Sequence, residues 1–174
     1  MAKLIVYYSR ADENYFGDSM RYVEEGNTAK VARMLSEIIG ADTFEIKQKT
    51  PYAKDYETCI KEAMADLQNN ARPELVEWPE NFEDYDEIYL GFPNYWGTMP
   101  MAVYTFLEKY TWLRKRVYTF ATHQGSGLGH SLKDLRKPCR GAMIMKGLAV
   151  KGENVDKFPE NVKLEVERWA LYGE

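Results

Sequence analysis

Three short stretches of this chain combine residue types that suit ligand chemistry. The first is split: Ser9 follows the apolar run Lys3 to Tyr8, and Gly26-Asn27-Thr28-Ala29 opens a helical pattern, with Arg10 to Glu25 inserted between them. A helix start offers N–H groups without intrahelical partners and about half a positive charge. Hydroxyls from Ser9 and Thr28, with Gly26 allowing close backbone approach, would there suit a phosphate. The alternative is purely structural: Asn27 or Thr28 caps the helix and Ser9 ends a strand. The second stretch, Pro93-Asn94-Tyr95-Trp96-Gly97-Thr98-Met99-Pro100, sets two large aromatics beside a glycine. A flat ring could stack on Trp96 or Tyr95 while backbone groups near Asn94 and Gly97 face its polar edge, or the same rings could close the core under a long loop. The third, Thr122-His123-Gln124-Gly125-Ser126-Gly127-Leu128-Gly129-His130, alternates glycine with small polar residues. Its N–H groups could reach carbonyl oxygens on a planar ligand, or the segment could simply be an irregular turn. His123 has a reference pKa near neutrality but no partner visible in the sequence, and it is assigned no catalytic role.

Hydrophobic patterning shows what would hold these stretches. Lys3 to Tyr8 is short, apolar and rich in β-branched and aromatic residues, as is Ile88 to Phe92, the pattern of strands buried on both faces of a parallel sheet. Thr43 to Ile46, Arg116 to Thr122 and Ala142 to Met145 supply three more predicted strands. Between them, Thr28 to Ile39, Tyr56 to Asn70, a helix beginning near Pro100, and Ser131 to Lys137 read as helices. A last amphipathic helix begins at Pro159 and carries Val162, Leu164, Val166 and Trp169. This β-α alternation predicts an α/β fold, a three-layer α/β/α sandwich around a five-stranded parallel sheet. Ligands then bind outside the carboxyl ends of the strands, where all three stretches lie.

The length of 174 residues fits one domain spanning 1–174, with the insertion at about 10–25 as its one irregularity. No apolar run approaches the roughly 20 residues that span a bilayer, and Met1 to Arg10 lacks a leader-peptide pattern, so a cytoplasmic location is expected. A net charge of −4 disfavours nucleic acid as a partner. The two cysteines, Cys59 and Cys139, have neither C-x-x-C spacing nor nearby histidines, which disfavours a zinc site or a dithiol centre. No G-x-G-x-x-G follows the first strand, and Ser9-Arg10 and Pro93-Asn94 stand where a phosphorelay receiver would need acids.

Taken together, Ser9, EEGNTAKVA, GFPNYWGTMP and THQGSGLGHS resemble the flavodoxin-like family in order and in placement after successive strands, over nearly the whole chain. The resemblance implies a strand order of 2-1-3-4-5 and bound FMN. Its phosphate would be held by residues at Ser9, Gly26, Asn27, Thr28 and Ala29. The ring would be held by Pro93, Asn94, Tyr95, Trp96, Gly97 and Thr98 together with Thr122, Gln124, Gly125, Ser126 and Gly127. Electron carriers of that family are strongly acidic, with carboxylates and a tyrosine in the third loop, where this chain has Gln124-Gly125-Ser126-Gly127. Two roles therefore compete: a carrier docking to a redox partner protein, and an enzyme that reduces quinone-like acceptors with NAD(P)H. A third is a protein-interaction module of the same fold without cofactor. The insertion, with Tyr15, Phe16, Met20 and Tyr22, is expected to be a lid or partner surface, or else a polar surface excursion.

Overall fold

The computed structural model describes every residue, 1–174. In chain order its elements are β1 Lys3–Tyr7, β2 Asp12–Tyr15, β3 Met20–Val23, α1 Asn27–Ile39, β4 Asp42–Glu45, α2 Tyr56–Gln68, β5 Glu87–Pro93, α3 Met101–Lys109 and β6 Arg116–His123. These are followed by α4 Ser131–Asp134, β7 Met143–Ile144, β8 Leu148–Lys151, α5 Gly152–Lys157 and α6 Pro159–Glu167.

The central sheet is parallel throughout and runs β4-β1-β5-β6, with β7 and β8 both beside β6. This is the expected 2-1-3-4-5 order with one correction: the fifth position holds two strands, so the sheet has six. The expected fifth strand, Ala142 to Met145, accounts only for β7, which pairs with Arg116 and Val117, whereas β8 pairs with Phe120 to His123. Between them the Lys146 carbonyl leaves the ladder to accept the Trp169 indole N–H at 2.8 Å. Gly147 runs close under Leu128 there, and a Cβ on it would lie 2.9 Å from Leu128 Cδ1.

Alternate residues of the central strands face opposite ways, as the pleat requires. Leu4, Val6, Ile88, Leu90, Phe92, Val117 and Ala121 pack with Ala102, Val103, Phe106 and Leu107 of α3. Ile5, Tyr89 and Phe120 pack with Val31, Ala32 and Leu35 of α1 and with Val155, Val162, Val166 and Trp169. Each fully buried aliphatic or phenylalanine side chain contributes about 1.5–3 kcal/mol relative to exposure. Two apolar faces of this kind are what hold the loops at the carboxyl edge in register. At Gly91 a Cβ would enter the Phe120 ring, so the bare backbone lets that ring lie against β5.

The insertion is an ordered β-hairpin, with Asp12 opposite Val23 and Tyr15 opposite Met20. Phe16 is buried beneath the Arg21 guanidinium, 3.8 Å from the ring centroid, while Tyr15, Met20 and Tyr22 are exposed. The Glu13 N–H donates to the Lys54 carbonyl at 3.1 Å, and the Tyr56 N–H donates to Glu13 Oε1 at 2.8 Å. Near the tip, Lys157 Nζ lies 3.8 Å from Asp18. No helix is long and apolar enough to cross a membrane.

Candidate functional site

The first corner of the site is the start of α1. Gly26, rather than Asn27 or Thr28, is its N-cap, in an extended conformation and without a capping side chain. A Cβ on Gly26 would collide with the Arg10 carbonyl and the Ser9 hydroxyl, so only glycine lets the returning hairpin pass so close to β1. Ser9 Oγ accepts the Ala29 N–H at 3.1 Å. The first turn carries no acid, so the partial positive charge of the helix start is not neutralised there. Thr28 is buried, and its hydroxyl pairs with that of Thr122 at 2.8 Å, joining the start of α1 to the end of β6.

The second and third loops are locked to each other. Tyr95 and Thr98 exchange both backbone hydrogen bonds, with Trp96 and Gly97 between them at φ values of 55° and 86°. Positive φ at both central residues is the signature of a type I′ turn. The Asn94 amide spans the gap: Nδ2 donates to the Gly127 carbonyl at 2.8 Å, and Oδ1 accepts the Gly97 N–H at 2.8 Å. The His130 N–H closes the joint by donating to the Gly97 carbonyl at 2.8 Å. Thr98 faces away from the cleft, donating to Asp134 Oδ2 at 2.6 Å and pairing with the Tyr104 hydroxyl.

Between these loops, the hairpin and α2 lies a cleft of about 330 Å³, within the usual range of roughly 300–1,000 Å³ for small-molecule sites. Of the residues singled out from sequence, it brings together Asn27, Pro93, Asn94, Tyr95, Trp96, Gly97, Thr122, Gln124 and Ser126. Ser9, Gly26, Thr28, Ala29, Thr98, Gly125 and Gly127 stand behind or beside that lining. The lining also includes Arg10, Asn14 and Tyr15 from the hairpin, Tyr56, Cys59, Ile60 and Ala63 from α2, His123 and Gly152. Only the aromatics of the insertion hinted at the hairpin wall. The cleft face of α2 is set by tertiary packing and left no mark beyond an apolar stripe.

Arg10 is the one charged residue of the lining, which contains no carboxylate. Burial favours the neutral forms of His123, Tyr56, Tyr95 and Cys59. Burial, helped by Lys151, pulls the His123 pKa below its usual value, and its Nδ1 accepts the Gly125 N–H at 2.9 Å, which places the proton of the neutral ring on Nε2. Burial pushes the Tyr56 and Tyr95 phenols and the Cys59 thiol upward. Tyr8, edge-on to Tyr95 at 6.0 Å between ring centroids, is also raised by burial, and its hydroxyl donates to Gln48. The cleft is thus an apolar, aromatic space with one cation and several neutral hydrogen-bonding groups.

A parallel sheet in this order, with its cleft at the carboxyl edge, defines a doubly wound ligand-binding protein. The flavodoxin family model matches residues 19–166, and the chain belongs to the flavodoxin family. Solved structures share the fold. A candidate flavoprotein from Bacteroides uniformis ATCC 8492 is 23% identical at a TM-score of 0.72, with 97% of each chain covered. A flavoprotein from Lactobacillus acidophilus NCFM, in complex with FMN, is 22% identical at 0.64, over 91% of this chain and 98% of that one. Oxidised Flavodoxin 2 from Bacillus cereus is 17% identical at 0.55, over 98% of this chain and 96% of that one. Among curated proteins, none matches the chain.

Proposed function

We propose that the chain binds FMN non-covalently in this cleft and reduces small quinone-like acceptors with NAD(P)H. The observation that carries the reading is a pair of orphaned acceptors. Asn27 Oδ1 and Gln124 Oε1 are buried without a hydrogen-bond partner, and both residues line the cleft. Their amide nitrogens each stand 2.6 Å from where a Cβ on Gly152 would be, so glycine keeps the space between them open. An unmet buried acceptor costs about 1–3 kcal/mol, and the hydroxyl chain of FMN carries the donors that would satisfy both. Ser9, Gly26, Asn27, Thr28 and Ala29 suit its phosphate, and the locked loops 93–98 and 122–127 suit its ring.

When bound, FMN supplies reversible transfer of one or two electrons. The chain's own part is to bind and orient it, to exclude water with Tyr95 and the α2 face, and to keep phenols, thiol and imidazole uncharged around it. In the net reaction a hydride from NAD(P)H and one proton convert the quinone to the hydroquinone. The space beside the apolar face of α2 and the lack of acidic lining favour a small acceptor over a docked protein. Trp96, half-exposed at the cleft, supports electron carriage to a partner protein as the second reading. The enzyme reading assigns the chain to the cytoplasm, where reduced nicotinamide is available.

The test is the visible spectrum of the purified protein, followed by heat release and identification of the chromophore as FMN. NADPH oxidation that depends on added quinone supports the enzyme reading, and its absence in a yellow protein supports the carrier. A colourless protein that ignores added FMN refutes both and leaves the protein-interaction module.

A further inference from the structure

Resting on that reading, we propose that the hairpin side of the cleft is the acceptor subsite, and that it selects planar aromatic acceptors bearing a negative charge, with the Arg10 guanidinium as the counter-charge. Arg10 is held at two points: Nε donates to the Glu13 carbonyl at 3.1 Å and Nη2 to the Lys54 carbonyl at 2.7 Å. Both partners are neutral backbone groups. Nη1 has no partner, and Arg10 takes part in none of the molecule's ion pairs, although eleven lysine– or arginine–carboxylate couples form elsewhere in the chain. The two neighbouring carboxylates are engaged elsewhere: Glu13 accepts the Tyr56 N–H, and Asp55 accepts the Thr58 N–H as the cap of α2. A half-buried guanidinium fixed by carbonyls, with one edge free and paired with neither neighbouring carboxylate, is preorganised for an anion from outside.

The rest of the subsite suits a flat molecule. Tyr15 of the hairpin and Tyr56 of α2 stand with ring centroids 6.4 Å apart and planes tilted by 37°, and both line the cleft with Arg10. Ile60 lies beyond them, its carbonyl accepting the Trp96 indole N–H at 3.3 Å, which ties this wall to the second loop. The hairpin that carries Arg10 and Tyr15 is pinned to the segment before α2, so the subsite is a fixed wall.

The experiment compares wild type with Arg10→Gln and Arg10→Lys, each checked first for FMN content by its spectrum. Binding of naphthalene sulfonate, which FMN cannot reduce, is measured by calorimetry, and kcat/KM is measured for naphthoquinone and its sulfonate. Loss of a charge-assisted contact predicts about tenfold weaker sulfonate binding in Arg10→Gln, partly restored in Arg10→Lys, and a larger fall in kcat/KM for the sulfonated than for the plain naphthoquinone. Added salt should weaken sulfonate binding to wild type and leave naphthoquinone kinetics alone, a measurement that needs no variant. Equal sulfonate binding in wild type and Arg10→Gln overturns the proposal. So does loss of FMN in that variant, which would give Arg10 to the flavin phosphate, or a raised KM for NADPH alone, which would give it to the donor. A colourless wild type refutes the FMN reading separately, and sulfonate binding to that protein still tests Arg10.

Discussion

Replacing Asn94 with alanine should separate the two loops that face the proposed ring. The side chain makes one bond to each side of the joint, Nδ2 to Gly127 and Oδ1 to Gly97, both at 2.8 Å. A neutral hydrogen bond contributes about 0.5–1.5 kcal/mol net, so the two together contribute about 1–3 kcal/mol. Asn94 is half-buried, so water can reach part of what is freed, and a loss of about 1–2 kcal/mol in unfolding free energy is expected. For a chain of this size that corresponds to a fall in Tm of about 2–8 °C. FMN affinity should fall more steeply than stability suggests, by about tenfold or more, because the ligand must then also order Gly97 and Gly127. Asn94→Asp keeps the acceptor for Gly97 but sets a carboxylate against the Gly127 carbonyl, and it should do no better than alanine. Urea unfolding and titration of flavin fluorescence check both quantities. An alanine variant within about 0.3 kcal/mol of wild type and unchanged in FMN affinity would mean that the turn holds itself through Tyr95, Thr98 and His130, and that the reasoning about Asn94 is wrong.

Three further outcomes follow from the geometry. Thr28→Val and Thr122→Val should each cost about 1–3 kcal/mol by orphaning the other buried hydroxyl, and the double variant should cost less than their sum; additive losses in chemical denaturation would deny the pairing. His123 should titrate below the usual 6.5 in an NMR pH series. Because its folded pKa is depressed, its contribution to stability is complete above the unfolded value and declines as pH falls through the window beneath it; a midpoint at or above the unfolded value would reverse the sign. Cys139, buried and with its thiol pushed up to about 12, should resist a disulfide reagent in the native protein and react only on unfolding, whereas prompt native labelling would contradict its burial.

Much of the fold was legible because the central strands are buried on both faces and read as unbroken apolar runs, and because Gly40 and Pro159 mark helix ends. The loops were legible through glycine and aromatic placement, since only certain residues tolerate the φ values found at Gly97 and Gly125. The fifth strand was misjudged because its break depends on Trp169, an indole more than twenty residues downstream of Lys146. The hairpin was opaque for a different reason: DENY and MRYV pair mainly with each other and bury little, so no apolar alternation announces them. Thr98 looked ligand-facing by position, but its hydroxyl is drawn away by Asp134, a partner that sequence distance conceals.

The broken fifth strand also bears on how molecules of this protein meet one another. A sheet margin invites a foreign strand when it offers a long row of unpaired amides and carbonyls. On the β6 side the margin consists of a two-residue piece and a four-residue piece, separated by a carbonyl already taken by an indole. The opposite margin, β4, is four residues long and begins and ends with an acid. Neither margin offers the long unbroken row of amides and carbonyls that edge-to-edge pairing of two sheets requires.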